Sequence, residues 1–133
     1  MTIQLRQTSA STSEATLRTH RVLIDRPLEK GGTDSGPMGG ELFLASVGGC
    51  FLSTLLAAIR ARSAEVSDVR VEVVGNIADA PPRFSSIELT IQAQGSSPDL
   101  ERLAEIADKG CIMMNTLRGL LEVRIHIADA DRG

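Results

Sequence analysis

The sequence predicts an α+β domain in which antiparallel strands surround one long, apolar, central helix. Three observations predict it. Residues 42–59, LFLASVGGCFLSTLLAAI, run 18 residues without a charge. Segments with the two-residue alternation of half-buried strands lie before and after that run. Residues 98–109, PDLERLAEIADK, place their apolar side chains at helical spacing on an otherwise charged segment.

Each element follows in chain order. Residues 1–26 read as short strands, TIQLR and RVLID, joined by a Ser/Thr-rich turn. Residues 27–40, PLEKGGTDSGPMGG, hold two Pro and five Gly and form a loop. Glu41 opens the apolar helix, 41–62, and Arg60 and Arg62 close it at the end where cations suit the helix dipole. VRVEVVGNI and FSSIELTIQAQ, within 66–94, alternate well and are separated by ADAPPR, which makes them an antiparallel pair. Residues 98–128 supply the rest: Pro98 begins an amphipathic helix, Gly110 ends it, CIMMNTLRGL opens as a short helix, and LEVRIHIAD is the last strand. The 133 residues suit one domain, 1–133.

Composition narrows the function. Apolar residues make up 42% but aromatics only 2%, so the core is aliphatic. A net charge of −3, with scattered arginines and no basic run, excludes a nucleic-acid binder. The first twenty residues hold no apolar core of signal-peptide length. The 42–59 run reaches the lower limit of a membrane span, yet its two Ser, one Thr, two Gly and one Cys suit a buried helix better. The expectation is a soluble cytoplasmic protein with no membrane contact, whose two cysteines are free or redox-active thiols. A helix apolar on every side must be covered on every side. A short chain poor in aromatics hardly wraps it alone, which predicts an intertwined homodimer, and Gly48-Gly49 allows a partner helix to approach closely.

Cys50 lies in mid-helix, where burial raises a thiol's pKa and no free backbone N–H helps, so a reactive Cys50 needs a cation or a set of donors. Its helical neighbours include Ser46, Ser53 and Thr54, whose hydroxyls either face the sulfur or bond back to their own helix. Cys111 follows Gly110 at a helix start, where the orphan N–H groups and the dipole favour its thiolate; a small buried hydrophobe is the alternative. Asn115, four residues on, shares its face and either fixes the loop or touches the site. His20 and His126 show no ligand spacing with the cysteines, so no metal is expected. The Gly-rich loop lacks both GxGxxG and GK[ST], and no cofactor is called for.

The stretch GGTDSGPMGGELFLASVGGCFLSTLLAAI resembles the OsmC/Ohr family: a Gly-rich loop, a Gly-Pro, a Glu-Leu opening an apolar helix and a mid-helix Cys. GCIMMNTL resembles the family's second cysteine motif, and the order of elements agrees over roughly residues 1–128. The resemblance implies an OsmC-like fold, an interlocked dimer with shared sheets, and thiol-dependent reduction of organic hydroperoxides, with a dithiol as reductant. It assigns peroxide attack to Cys50 and the resolving role to Cys111. The family's peroxidases also use an Arg to hold the thiolate and a Glu to orient it. The Glu position falls on Gly40 here, with Glu41 displaced by one, and on a continuous helix Glu41 and Cys50 lie on opposite faces. For the Arg, Arg18 and Arg21 are the first candidates and Arg6 the third. The competing function is a non-catalytic dimeric binding module for an apolar or sulfur-containing small molecule.

Overall fold

A computed structural model describes residues 1–95 and 97–128. Residues 129–133, which include the end of the expected last strand, lie outside the described residues. The chain divides into two compact units, Met1–Phe43 and Leu44–Gly133.

In the N-terminal unit, β1 (Gln4–Gln7), β2 (Ser13–Leu17) and β3 (His20–Ile24) form an antiparallel sheet in the order β1-β2-β3. Strand β2, SEATL, is an addition to the sequence reading, which assigned this stretch to a turn. Its Ser and Thr weaken the alternation signal, but pairing on both sides, Leu5↔Ala15↔Val22, makes it the middle strand and buries Ala15. Arg18 and Thr19 form the two-residue loop between β2 and β3, with Arg18 at φ +57, the left-handed backbone that tight hairpins require.

Asp25, at the end of β3, organises the Gly-rich loop. Only 3% exposed, its carboxylate accepts hydrogen bonds from the Thr12 hydroxyl (3.1 Å), the Arg26 N–H (2.7 Å), the Ser35 N–H (3.1 Å) and both the N–H (3.1 Å) and the hydroxyl (2.6 Å) of Thr33. The loop passes so close to the strand that a Cβ on Gly32 or Gly36 would collide with the carbonyl of Arg26 or Leu23, which explains the glycines. Led by the Thr33 hydroxyl and opposed by burial, these donors hold the Asp25 carboxyl well below the usual carboxylate range. A carboxyl depressed by folding stabilises the fold above its unfolded pKa, and that contribution is lost as pH falls through the folded value. Asp25→Asn is therefore expected to lower the melting temperature at neutral pH and to flatten the loss of stability below about pH 5. Melting curves from pH 7 to 3 check this; parallel curves for the two proteins would contradict it.

Helix α1 (Gly39–Ala61) starts two residues before the expected Glu41 and ends one before Arg62. Glu41 reaches back to accept the Met38 N–H at 2.8 Å, while the Met38 carbonyl receives the Leu42 N–H at 3.0 Å. This is the carboxylate half of a capping box, and it fixes where the helix begins.

In the C-terminal unit, β4 (Val66–Ala78), β5 (Arg83–Gly95) and β6 (Glu122–Ile127) form a mixed sheet in the order β4-β5-β6. β4 and β5 are the expected antiparallel pair, but β6 runs parallel to β5, so the expectation of antiparallel strands throughout is corrected. The reason lies in the connection: α2 (Ser97–Gly110) and α3 (Ile112–Leu117) carry the chain back to the starting end of β5 before β6 begins. Ile87, Leu89 and Ile91 of β5 are fully buried, as are Val47, Phe51 and Leu55 of α1. A Cβ on Gly48 would press into the Val73 side chain at 2.5 Å, whereas one on Gly49 would meet open space. The glycine pair thus serves two purposes: Gly48 lets α1 sit down on its own sheet, and Gly49 leaves a gap on the other side. On the opposite sheet face, Arg124 donates to Glu88 at 3.1 Å across the β5–β6 pair and holds its carboxyl below the usual range.

Candidate redox site

Cys50 lies at the middle of α1, half-buried, on the helix that buries Val47, Phe51 and Leu55. Of the three neighbouring hydroxyls, Thr54 donates to the Cys50 carbonyl at 3.0 Å, closing a local bond along its own helix. Ser46 and Ser53 are exposed.

Cys111 is supplied by the break between two helices. Its backbone is extended (φ −86, ψ 122) between the end of α2 and the start of α3, and it is fully buried. Two features hold that junction in place. Asn115 donates from its side chain to the Lys109 carbonyl at 3.1 Å and from its backbone to the Cys111 carbonyl at 3.0 Å, so it fixes the loop. Gly110 lies against Thr54, where an added Cβ would just touch the Thr54 Cγ2 at 3.5 Å. The outcome is a sulfur–sulfur separation of 3.3 Å between Cys50 and Cys111, residues 61 positions apart in sequence. Both thiols are free, and the separation exceeds the roughly 2.05 Å of a covalent S–S bond, so about 1 Å of movement would join them.

The electrostatics of Cys111 correct the sequence reading. Burial pushes its thiol up, and the proximity of Cys50 adds to the effect; the N–H groups of Met113 and Met114 pull the other way without closing a capping bond to the sulfur. Helix α3 is only six residues long, and its first N–H groups do not offset the loss of water.

The remaining residues singled out in the sequence have the following surroundings within their own units. Arg18, Arg21 and Glu41 belong to the N-terminal unit; all three are exposed, and Glu41 is engaged in capping α1. Arg6 pairs with Glu14 at 3.3 Å in the first sheet. In the C-terminal unit, Arg118 pairs with Asp108 at 3.0 Å and Arg124 with Glu88 and Glu122. His126 lies 3.4 Å from Glu88, and among the described residues no cluster of three His, Cys, Asp or Glu side chains forms. Sequence reasoning gave Gly110 only the role of ending a helix and did not single out Met114, which is buried and turns its N–H toward Cys111.

A thiol in a helix, met at sulfur contact by a second thiol from a helix junction, defines a dithiol protein on an α+β scaffold. The same architecture occurs in solved structures. An OsmC-like protein from Mycoplasma pneumoniae superposes with a TM-score of 0.83 at 19% identity, covering 98% of this chain and 96% of that one. Organic hydroperoxide resistance proteins from Elizabethkingia anophelis, solved with thiocyanate bound, and from Legionella pneumophila both superpose with a TM-score of 0.75. The first is 21% identical (97% of this chain, 96% of that one) and the second 20% (96% and 95%). At these identities the likeness is one of fold. The family model described as OsmC-like protein matches residues 32–126, and the chain belongs to the OsmC-like family. No curated protein matches the sequence.

Proposed function

We propose that the protein is a soluble, cytoplasmic, homodimeric thiol peroxidase that reduces organic hydroperoxides, and to a lesser degree hydrogen peroxide, through Cys50 and Cys111. The observation that carries this reading is the 3.3 Å contact between two free thiols far apart in sequence. The thiolate of Cys50 attacks the outer peroxide oxygen, the O–O bond breaks, and the alcohol leaves after taking up a proton. Cys50 is then a sulfenic acid, onto which the Cys111 sulfur condenses with loss of water to give a disulfide. A dithiol reductant returns both electrons and restores the thiols. The mostly aliphatic surroundings, with Phe51, Leu55 and Met114 buried nearby, favour a peroxide with an apolar substituent. Support for the dimer comes from α1, whose Gly49, Leu56 and Ala57 are exposed beside an apolar core.

The test is peroxide consumption by the purified protein with cumene hydroperoxide or hydrogen peroxide, and with dithiothreitol or a dihydrolipoyl donor as reductant. Turnover with cumene hydroperoxide exceeding that with hydrogen peroxide is expected; no consumption with either refutes the reading.

A second reading, a non-catalytic module holding an apolar or sulfur-containing small molecule, has its own observation. A cavity of about 390 Å³ is lined by Met114, Leu121, Val123 and Ile125 with Asp108 and Arg118, and neither cysteine lines it. Thiol titration separates the two readings: a Cys50 pKa below about 7 supports catalysis, and one above about 9 a spectator thiol.

A further inference from the structure

The two sulfurs of the site differ in what can reach them. Cys111 has 0% of its surface exposed, packed in the layer that also buries Ala107 and Met114, whereas Cys50 keeps part of its surface. Thiol–disulfide exchange is an in-line displacement: the incoming thiolate, the attacked sulfur and the departing sulfur lie on one line. Attack on Cys111 would require the reductant to enter behind it, through the core. Attack on Cys50 requires an approach only to a residue that already meets solvent.

We propose that the reductant enters at Cys50 and expels Cys111, so that Cys50 carries the mixed disulfide and Cys111 is the leaving group. The proposal rests on the reading above only in that a Cys50–Cys111 disulfide forms; it does not depend on a peroxide being the oxidant. In the first step the reductant thiolate bonds to the Cys50 sulfur, the Cys50–Cys111 bond breaks, and its electron pair departs with Cys111, which takes up a proton from water. Burial favours that protonated form, and the N–H groups of Met113 and Met114 face the charge while it exists. In the second step the reductant's other thiolate attacks the reductant sulfur bound to Cys50, closes a cyclic disulfide and releases the Cys50 thiolate. A compact dithiol completes both steps by itself. A monothiol halts after the first, with Cys50 capped until a second molecule arrives.

The halted state is the test. The full-length protein is oxidised with diamide, freed of oxidant, pulsed briefly with glutathione, quenched with N-ethylmaleimide and mapped by mass spectrometry. Glutathione is expected on Cys50 and maleimide on Cys111, with the Cys50 adduct exceeding the Cys111 adduct at least about tenfold at early times. An even split, or glutathione on Cys111, overturns the proposal, and so does failure of diamide to form the disulfide. Disulfide formation with diamide but not with peroxide would remove the peroxidase reading and leave this one standing. As a second measurement, Cys50 in the Cys111→Ser variant should react with 5,5′-dithiobis(2-nitrobenzoate) at least about tenfold faster than Cys111 in the Cys50→Ser variant, and equal rates would contradict the assignment.

Discussion

Cys50→Ser is expected to reduce peroxide consumption to the uncatalysed rate, while Cys111→Ser is expected to support about one turnover per chain and then stop. The asymmetry comes from the chemistry each sulfur performs. Without Cys50 the remaining thiol is fully buried and shifted toward its protonated form, a poor nucleophile that peroxide does not reach. Without Cys111 the first attack still takes place, but the sulfenic acid has no sulfur at 3.3 Å to condense with. Under excess peroxide it proceeds to the sulfinic acid, which dithiols do not reverse. Initial bursts of alcohol product, together with the mass of Cys50 afterwards, distinguish the two variants. A Cys111→Ser protein that turns over steadily would show that Cys111 takes no part in resolution.

The second large effect is expected at Gly48. Its missing Cβ makes room for Val73, so Gly48→Ala is expected to cost about 1–3 kcal/mol of folding stability and Gly48→Leu to prevent folding. Gly49, one residue on, faces open space, and leucine there carries no clash within the chain while improving helix propensity by roughly 1 kcal/mol. If a partner's helix occupies that space, Gly49→Leu leaves secondary structure intact and dissociates the dimer. Sedimentation at low micromolar concentration should give about twice 14.2 kDa for the natural sequence and the monomer mass for Gly49→Leu. Unchanged assembly of the Gly49 variant would place any dimer contact elsewhere.

How far the structure was legible in the sequence depended on the range of the interaction that decides each feature. Helix α1 announces itself through an unbroken apolar run, and the β4–β5 hairpin and α2 through local periodicity; their observed bounds lie within a few residues of the expected ones. Strand β2 did not, because its assignment rests on two neighbours rather than on its own composition. The direction of β6 was hidden for a related reason: alternation is the same in parallel and antiparallel strands, and only the return path through α2 and α3 decides between them. At the site, two cysteine motifs named the two sulfurs that the structure brings together, and nothing local could have placed them 3.3 Å apart. The protonation of Cys111 was misjudged because helix position can be read locally, while burial depends on the whole fold. For Glu41 the sequence left two roles open, a displaced carboxylate of the site or a first-turn residue favoured by the helix dipole, and the structure engages it in capping the helix start.

One measurement bears most directly on the account as a whole. The protein is treated with one equivalent of cumene hydroperoxide, blocked with N-ethylmaleimide, digested without reductant and examined by mass spectrometry. A peptide containing Cys50 linked through a disulfide to one containing Cys111, with loss of the hydroperoxide, is the predicted result. Both cysteines recovered as maleimide adducts, with the hydroperoxide unconsumed, would contradict it.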